Sequence, residues 1–174
     1  MGKRRIIFGI SLLAICVVLA WTLSSLEKNQ GSVEKGDKIP DASFQSLEGK
    51  KHSFSALRGK VLVINFWATW CLPCREEMPS LNTLFRQMEN QPVEFLAFST
   101  DSGQEPVLDF MSQGKYPLPV YEDFDRRLAM QFGTYQFPET YLVDKQGVVR
   151  EKVIGAANWA APEMVNLLRS LAAE

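Results

Sequence analysis

The chain has 174 residues, which is enough for one ordinary domain and a short additional segment. Apolar residues make up 46% of the sequence and charged residues 22%, a balance that allows a buried core and excludes a wholly disordered chain. The net charge is −1 and no basic block exists beyond residues 3–5, so nucleic-acid binding is not expected. Three cysteines are too few for a disulfide-stapled scaffold, and the single histidine, His52, excludes most zinc sites.

Residues 6–26 form an uncharged stretch of 21 residues, and we predict a transmembrane signal-anchor there. A helix of this length spans roughly 30 Å, the thickness of the hydrocarbon core of a bilayer. The basic stub, residues 1–5, would stay on the cytoplasmic side, so the rest of the chain would lie outside. A cleaved signal peptide is the rival interpretation, although no Ala-x-Ala site follows the apolar stretch. A lipoprotein would use Cys16, but Ile15 precedes it where a small residue is needed.

Residues 27–38 are polar and contain glycine, so we predict a flexible tether there. The folded domain is then expected over residues 39–174. Lys3, Arg4 and Arg5 are the cations of the first 26 residues, which contain no acid, whereas residues 27–174 hold 16 Lys and Arg against 20 Asp and Glu. The near-zero charge of the whole chain therefore conceals an acidic exported part.

The domain opens with a predicted β-hairpin over residues 41–54, followed by one helical turn that ends at Gly59. The continuous apolar segment Val61–Trp67 is typical of a strand that is covered on both faces in an α/β sheet. A helix is predicted to open at Cys74, because apolar residues follow it at steps of three and four. Pro79 lies inside this helix and is expected to kink it.

The second half of the domain alternates predicted strands and helices. In chain order they are a strand at 93–99, a helix at 104–113, a strand at 118–121, a helix at 126–132, a hairpin of strands 140–143 and 148–153, and a last helix from Pro162. Asp125 is the expected cap of the helix at 126–132, and Gly133 is its expected end. This order predicts an α/β fold with a mixed central sheet and helices on both faces.

The segment Trp70-Cys71-Leu72-Pro73-Cys74 lies at the junction of a predicted strand and a predicted helix. The amides and dipole of a helix N-terminus stabilise a thiolate, so Cys71 is expected to be nucleophilic near neutral pH. Cys74 follows three residues later and can reach the first sulfur, and Pro73 fixes the backbone between the two. We therefore predict a redox pair in which Cys71 is the exposed attacker and Cys74 the buried resolver. No cofactor beyond this redox-active disulfide is expected.

The same residues allow the other possible functions of the two cysteines to be compared. A zinc site lacks ligands, since the exported part offers only His52 besides the pair, and a stabilising disulfide across so short a loop gains little entropy. A copper(I) metallochaperone would use the pair with a third soft ligand, would depend on His52 as well as on both cysteines, and remains an alternative. A peroxiredoxin-type peroxidase also remains, although it needs Thr-x-x-Cys and Thr69 lies only two residues before Cys71. A disulfide-forming oxidase would need a much more oxidising pair.

The segment Asn65–Cys74, with Pro79 in the helix and Phe137-Pro138-Glu139-Thr140 before a strand, resembles the thioredoxin superfamily. More narrowly, it is similar to the membrane-anchored TlpA/ResA/DsbE-like thiol–disulfide oxidoreductases over residues 36–174. The resemblance implies a thioredoxin-like fold with an N-terminal β-hairpin and a central helical insert near 104–113. It also implies that Pro138 is a cis-proline beside the active site. A cis bond there would present the backbone of the preceding residue as a short strand edge for an extended substrate segment.

Asn65 stands where thioredoxin carries a buried aspartate that accepts the proton of the resolving cysteine. An asparagine cannot accept that proton, so another group must serve. Glu77, three residues after Cys74 on the same helix, is the leading candidate, and the narrower family carries an acid at the matching place. A solvated helix face is its alternative interpretation. Glu139 is the second acid near the cysteines, with an ordinary loop carboxylate as the alternative.

The resemblance favours a reductant, whose dithiol attacks a disulfide of a partner and is then re-reduced by a membrane electron donor. The expected substrates are exported proteins that need free cysteines, such as apocytochrome c. The catalytic domain is expected on the periplasmic side of the cytoplasmic membrane. The residues expected to contact the substrate are Trp70, Pro73, Phe137, Pro138 and Glu139.

Overall fold

The computed structural model describes residues 31–174. The predicted basic stub at 1–5 and signal-anchor at 6–26 lie outside the described residues, as does most of the first half of the predicted tether. Among the helices of residues 31–174, none combines the length and the apolar character that a membrane crossing requires.

Residues 31–174 form one sheet of seven strands with helices on both faces. The strands are β1 (Ser43–Ser46), β2 (Lys51–Ser53), β3 (Val61–Trp67), β4 (Val93–Ser99), β5 (Val120–Glu122), β6 (Glu139–Val143) and β7 (Val149–Ile154). The helices are α1 (Leu72–Gln87), α2 (Gln104–Gly114), α3 (Arg127–Phe132) and α4 (Pro162–Ala173), with a short 3-10 helix at Ser55–Leu57. The strand order is β2-β1-β5-β4-β3-β6-β7. β3 pairs parallel with β4 and antiparallel with β6, so the sheet is mixed, as predicted.

The centre of the sheet is buried because all seven residues of β3 are covered. Its side chains alternate between two apolar clusters, as the pleat of a strand requires. Val61, Val63 and Trp67 pack with α1, α2 and α4 on one face. Leu62 and Phe66 pack on the other face with α3 and with the β1–β2 hairpin. Each fully buried side chain of this kind contributes roughly 1.5–3 kcal/mol to folding.

The polar segment before β1 is packed against the domain within the described residues. The amide of Val33 donates to the carbonyl of Phe132 at 2.8 Å, and the amide of Gly36 donates to Val149 at 2.8 Å. The side chains of Val33 and Ile39 are buried. The chain therefore joins the folded domain near Ser32, several residues before the predicted boundary at 39, and its last residues before that boundary are not a free tether.

The start of α3 differs from the sequence prediction. Asp125 accepts one hydrogen bond, from the amide of Arg127 at 3.1 Å. The carboxylate of Asp123 accepts two, from the amides of Leu128 and Ala129, both at 2.8 Å. Asp123 is buried and satisfies two of the helix amides that lack intrahelical partners, so it contributes more to the cap than the predicted Asp125 does.

Candidate active site

Cys71 and Cys74 form a disulfide at the start of α1, directly after the central strand β3. Their sulfur atoms lie 2.13 Å apart and their Cα atoms 5.3 Å apart. The helix begins at Leu72 rather than at the predicted Cys74, because Cys71 itself is the N-cap residue and its Sγ accepts a hydrogen bond from the amide of Cys74 at 3.3 Å. Pro73 lies in the first turn, where its missing N–H leaves no donor unpaired. The Cys71 sulfur is therefore held at the positive end of the helix dipole.

The two cysteines differ in exposure in the predicted order. Cys71 is 6% exposed and Cys74 is fully buried. Cys71 is far less open than the predicted exposed attacker, because it forms part of the apolar cluster on the α1 face of the sheet. Leu72 and Pro73 between them are exposed. A partner can therefore approach only the Cys71 side of the disulfide.

Asp101 holds the turn that leads into Cys71. The amide of Cys71 donates to the carbonyl of Ala68 at 3.2 Å, which closes the turn. Asp101 is buried and accepts hydrogen bonds from the amide of Thr69 at 3.0 Å and from its hydroxyl at 2.6 Å. The hydroxyl of Ser99 donates to the same carboxylate at 2.8 Å. Asp101 was not predicted as a site residue, although a polar stretch directly after a buried strand was a usable signal for it.

Glu77 is buried beneath the helix rather than on a solvated face, so the alternative interpretation of this residue is wrong. It is 3% exposed. Its Oε1 accepts a hydrogen bond from Nδ2 of Asn65 at 3.0 Å. Its Oε2 accepts from Nε1 of Trp159 at 2.9 Å and from the amide of Ala157 at 3.1 Å. Burial raises the pKa of Glu77, and these hydrogen bonds oppose that shift without cancelling it.

Asn65 connects Glu77 to strand β6. Its Nδ2 also donates to Oγ1 of Thr140 at 2.8 Å, whereas its Oδ1 is buried and has no hydrogen-bond partner among the described residues. Glu77 follows Cys74 by three residues on α1 and both are buried, so the two residues lie on the same side of the helix. Thr140 and Trp159 were not predicted as site residues. A tryptophan in the polar loop before Pro162 was the available signal for the second.

The peptide bond between Phe137 and Pro138 is cis, as the resemblance implied. The carbonyl of Pro138 accepts a hydrogen bond from the amide of Gly155 at 2.8 Å, which ties this loop to the end of β7. Phe137 is half-buried and its ring meets that of Trp70 edge-on, with 6.0 Å between centroids. Trp70 itself is 60% exposed. These two rings form an apolar surface beside Cys71.

Glu139 is buried in β6, so its interpretation as an ordinary loop carboxylate is wrong. The hydroxyl of Tyr141 donates to its Oε1, and Nζ of Lys152 lies 3.2 Å from the same atom. Burial and the hydrogen bond with Glu139 raise the pKa of Tyr141, so the phenol stays protonated and donates. Because successive strand residues point to opposite faces, Glu139 lies across the sheet from the Thr140 and Glu77 cluster.

Lys152 joins Glu139 to the segment before β1. Its ammonium group donates to Ser32 at 2.6 Å and to Glu34 at 2.8 Å. Burial on its own would lower the pKa of Lys152, but the hydrogen bonds with Glu34 and Glu139 outweigh burial and raise it. The part-buried lysine is therefore charged and compensates the buried carboxylate.

The structure separates His52 from the cysteines. Its ring stacks on Phe44 at 5.6 Å and meets Tyr121 edge-on at 5.4 Å, in the edge strand β2. Three strands lie between β2 and β3, a lateral separation of roughly 19 Å at the usual strand spacing. The copper(I) set of Cys71, Cys74 and His52 is therefore not assembled. Within residues 31–174, no group of three or more His, Cys, Asp or Glu residues is arranged to hold a metal ion.

Comparison with known proteins places this site in a family. The model of the AhpC/TSA family matches residues 35–152. The thiol-disulfide oxidoreductase ResA of Bacillus cereus is 34% identical over 157 residues, which cover 89% of this chain and 91% of that protein. ResA of Bacillus subtilis is 30% identical over 158 residues, with coverages of 89% and 88%. A crystal structure of a provisionally named thiol:disulfide interchange protein DsbE from Chlorobium tepidum superposes with a TM-score of 0.68 at 26% identity, and it covers 80% of this chain and 96% of its own.

Proposed function

The chain belongs to the AhpC/TSA family, as a ResA-like thiol–disulfide oxidoreductase of thioredoxin fold, and we propose that it works as a membrane-anchored reductant of disulfides in exported proteins. The observation that carries the proposal is the disulfide at the N-cap of α1, in which Cys71 keeps a small exposed fraction of 6% and Cys74 is fully buried. This arrangement gives the two sulfurs different tasks within one turn of helix.

The reaction exchanges two electrons between two pairs of cysteines. The thiolate of Cys71 attacks one sulfur of the substrate disulfide, and the other substrate sulfur leaves as a thiolate and takes up a proton. Cys74 then loses its proton and attacks the Sγ of Cys71, which forms the intramolecular disulfide and releases the second substrate thiol. The substrate is thereby reduced to a dithiol, and the Cys71–Cys74 pair is oxidised. The helix dipole stabilises the Cys71 thiolate in the first step.

Glu77 is the proposed proton acceptor of Cys74. Its carboxyl group lies one turn along α1 from the buried thiol, and its raised pKa brings its proton affinity nearer to that of a thiol. Asn65, which stands where thioredoxin has an aspartate, orients this carboxylate through its Nδ2. In this proposal the proton acceptor is Glu77 on helix α1, whereas in thioredoxin it is an aspartate at the strand position that corresponds to Asn65.

The proposed location and partners rest on residues 1–26 and on the relatives. The uncharged stretch at 6–26 would anchor the protein, with residues 1–5 in the cytoplasm and the catalytic domain in the periplasm. The substrates would be exported proteins that need free cysteines, such as apocytochrome c. A membrane electron donor of the thiol-reducing type would return the Cys71–Cys74 disulfide to the dithiol. Trp70, Pro73 and Phe137 would contact the substrate segment, which would run along the backbone at Pro138.

The proposal is tested by trapping the mixed disulfide between Cys71 and the substrate. In a Cys16→Ala background, the reduced Cys74→Ser variant should form a mixed disulfide with oxidised apocytochrome c, visible as a reductant-sensitive adduct on non-reducing gels. The Cys71→Ser variant should form no adduct and should not turn over. Turnover by Cys71→Ser would contradict the mechanism. The same proteins are assayed for hydrogen peroxide consumption, because a rapid Cys71-dependent loss of peroxide would instead favour the peroxiredoxin alternative.

A further inference from the structure

Arg126 has an unusual backbone conformation at the edge of the apolar surface beside Cys71. Its φ is 57° and its ψ is 21°, in the left-handed region that favours glycine and disfavours side chains with a Cβ atom. The conformation is held by a hydrogen bond from its amide to the carbonyl of Asp123 at 2.8 Å. Glycine would adopt this conformation with less strain, so the presence of arginine suggests a function for its side chain.

The guanidinium group of Arg126 lies close to the exposed ring of Trp70 and the half-buried ring of Phe137. Its Cζ is 5.8 Å from the ring centroid of Trp70 and 5.8 Å from that of Phe137. The first ring belongs to the residue before Cys71, and the second to the residue before the cis-proline. A substrate segment that reaches the Cys71 sulfur along this loop therefore passes beside the guanidinium group.

The donors of Arg126 are not used by a carboxylate of its own domain. No ion pair within residues 31–174 involves this side chain. The two acids next to it in sequence are engaged with the start of α3: Asp123 accepts from two helix amides and Asp125 from the amide of Arg127. The contacts of Arg126 with Trp70 and Phe137 are to ring faces and use none of its N–H donors in an ion pair, and the planar guanidinium fork matches the two oxygens of a carboxylate.

We propose that Arg126 is a specificity-determining residue that binds a carboxylate next to the substrate's disulfide cysteine. The enzyme then prefers exported segments that carry Asp or Glu beside that cysteine. This inference rests on the proposed function and adds the chemistry of the segment that it selects. Because residues 27–174 carry more acids than bases, the preference has to come from this local contact rather than from long-range attraction.

The test uses pairs of disulfide-bonded peptides that differ only in Glu or Gln beside a cysteine, on its N-terminal side in one pair and on its C-terminal side in a second. The rate constant for oxidation of the reduced full-length protein is measured for each peptide. The wild type should react about threefold faster with the Glu peptide of at least one pair, as for a partly exposed ion pair. This ratio should fall as salt is added, because salt screens exposed charges.

Three variants separate the contact from general charge effects. Arg126→Gln should bring the ratio close to one, and Arg126→Lys should keep part of it, since it retains the charge without the planar fork. Arg126→Gly removes the side chain and relaxes the backbone, so it covers the case in which Arg126→Gln folds poorly. Arg169→Gln is the matched control: Arg169 is exposed on α4, the charge change is the same, and the ratio should be that of the wild type.

Two outcomes overturn the inference. One is a wild-type ratio of one in both peptide pairs, and the other is a ratio that survives Arg126→Gln or Arg126→Gly. Reduction of all peptides at equal rates would remove the specificity but leave the proposed reductase intact. If the wild type reduces no peptide at all, the proposed function itself fails, and the specificity fails with it.

Discussion

Replacing Glu77 with alanine should destabilise the domain, because buried donors lose their acceptor. Nε1 of Trp159 and the amide of Ala157 both donate to Oε2 of Glu77 and have no other acceptor among the described residues. Nδ2 of Asn65 also loses Glu77 but keeps Oγ1 of Thr140. The buried Nε1–H of Trp159 and the part-buried amide of Ala157 are therefore left unpaired.

The magnitude follows from the cost of an unsatisfied buried donor, about 1–3 kcal/mol each. Two fully buried donors would give about 2–6 kcal/mol. Because the amide of Ala157 is only part-buried, the expected loss for Glu77→Ala is about 2–5 kcal/mol, a large part of the roughly 5–15 kcal/mol that usually stabilises a domain. Glu77→Gln should lose less than about 1 kcal/mol. The glutamine oxygen can accept from Trp159 and Ala157. Its NH₂ group can donate to Oδ1 of Asn65, which has no other partner, once that amide has turned over.

The pH dependence has a definite sign. Burial raises the pKa of Glu77 in the folded state above its ordinary value of 4.5, so the fold favours the protonated form. The stability contributed by this group is present below pH 4.5 and is lost as the pH rises through the raised folded value. Glutamine does not titrate, so Glu77→Gln should gain stability relative to the wild type across that interval.

Urea unfolding of the disulfide forms at a series of pH values from 4 to 8 measures these differences. Glu76→Ala is the control, since Glu76 is exposed on the same helix and its loss should change stability by no more than about 0.5 kcal/mol. The reasoning is refuted if Glu77→Ala behaves like Glu76→Ala. It is refuted equally if Glu77→Gln loses stability relative to the wild type as the pH rises.

Two further substitutions test the surroundings of the cysteines. Asp101→Ala should lower the free energy of unfolding by about 2–3 kcal/mol, because the amide and hydroxyl of Thr69 lose their acceptor. Hydrogen exchange at the Thr69 amide should accelerate. Unchanged exchange would show that Asp101 does not hold the turn before Cys71. Lys152→Met should lower the free energy of unfolding by about 3–5 kcal/mol, because it leaves the carboxylate of Glu139 buried without a cation. Adding Glu139→Gln should restore part of that stability, as measured by urea unfolding. A purely additive further loss in the double variant would contradict the pairing.

The local patterns of the sequence were sufficient to predict the strand and the helices that position the cysteines. β3 is apolar apart from Asn65, which indicated a strand covered on both faces, and the C-x-x-C segment that follows it was therefore expected at a strand–helix junction. The final helix was equally readable, because Pro162 and the apolar spacing after it mark its start. In each case the signal lies within a few residues of the element that it predicts.

The burial of the two glutamates could not be read in the same way. Glu77 follows exposed Glu76, and its spacing of three residues from Cys74 is the local feature that sets it apart. That spacing does not show that Glu77 is buried, because it is covered by Trp159 and Ala157, about 80 residues later in the chain. Glu139 is buried because Tyr141 and Lys152 supply a donor and a charge from the sheet. The burial of such residues depends on partners that are distant in the sequence, and a single sequence does not reveal those contacts.

The segment before β1 shows a related limit. Its composition is that of a linker, since Val33 is its sole large apolar residue between residues 27 and 38. Its backbone nevertheless pairs with the β6–β7 region, where Gly36 donates to Val149 and Ile39 donates to Gly147. Main-chain hydrogen bonds need no particular side chain, so composition alone set the predicted boundary too late.

The direction of electron transfer is tested most directly by the reduction potential of the Cys71–Cys74 pair. Equilibrating the protein in thiol–disulfide buffers of known poise, and following the pair by alkylation of free thiols, gives that potential. A reductant of exported proteins predicts a value of about −250 mV or more negative, on the order of that of thioredoxin. A value of about −120 mV, as for a strong disulfide-forming oxidant, would contradict it.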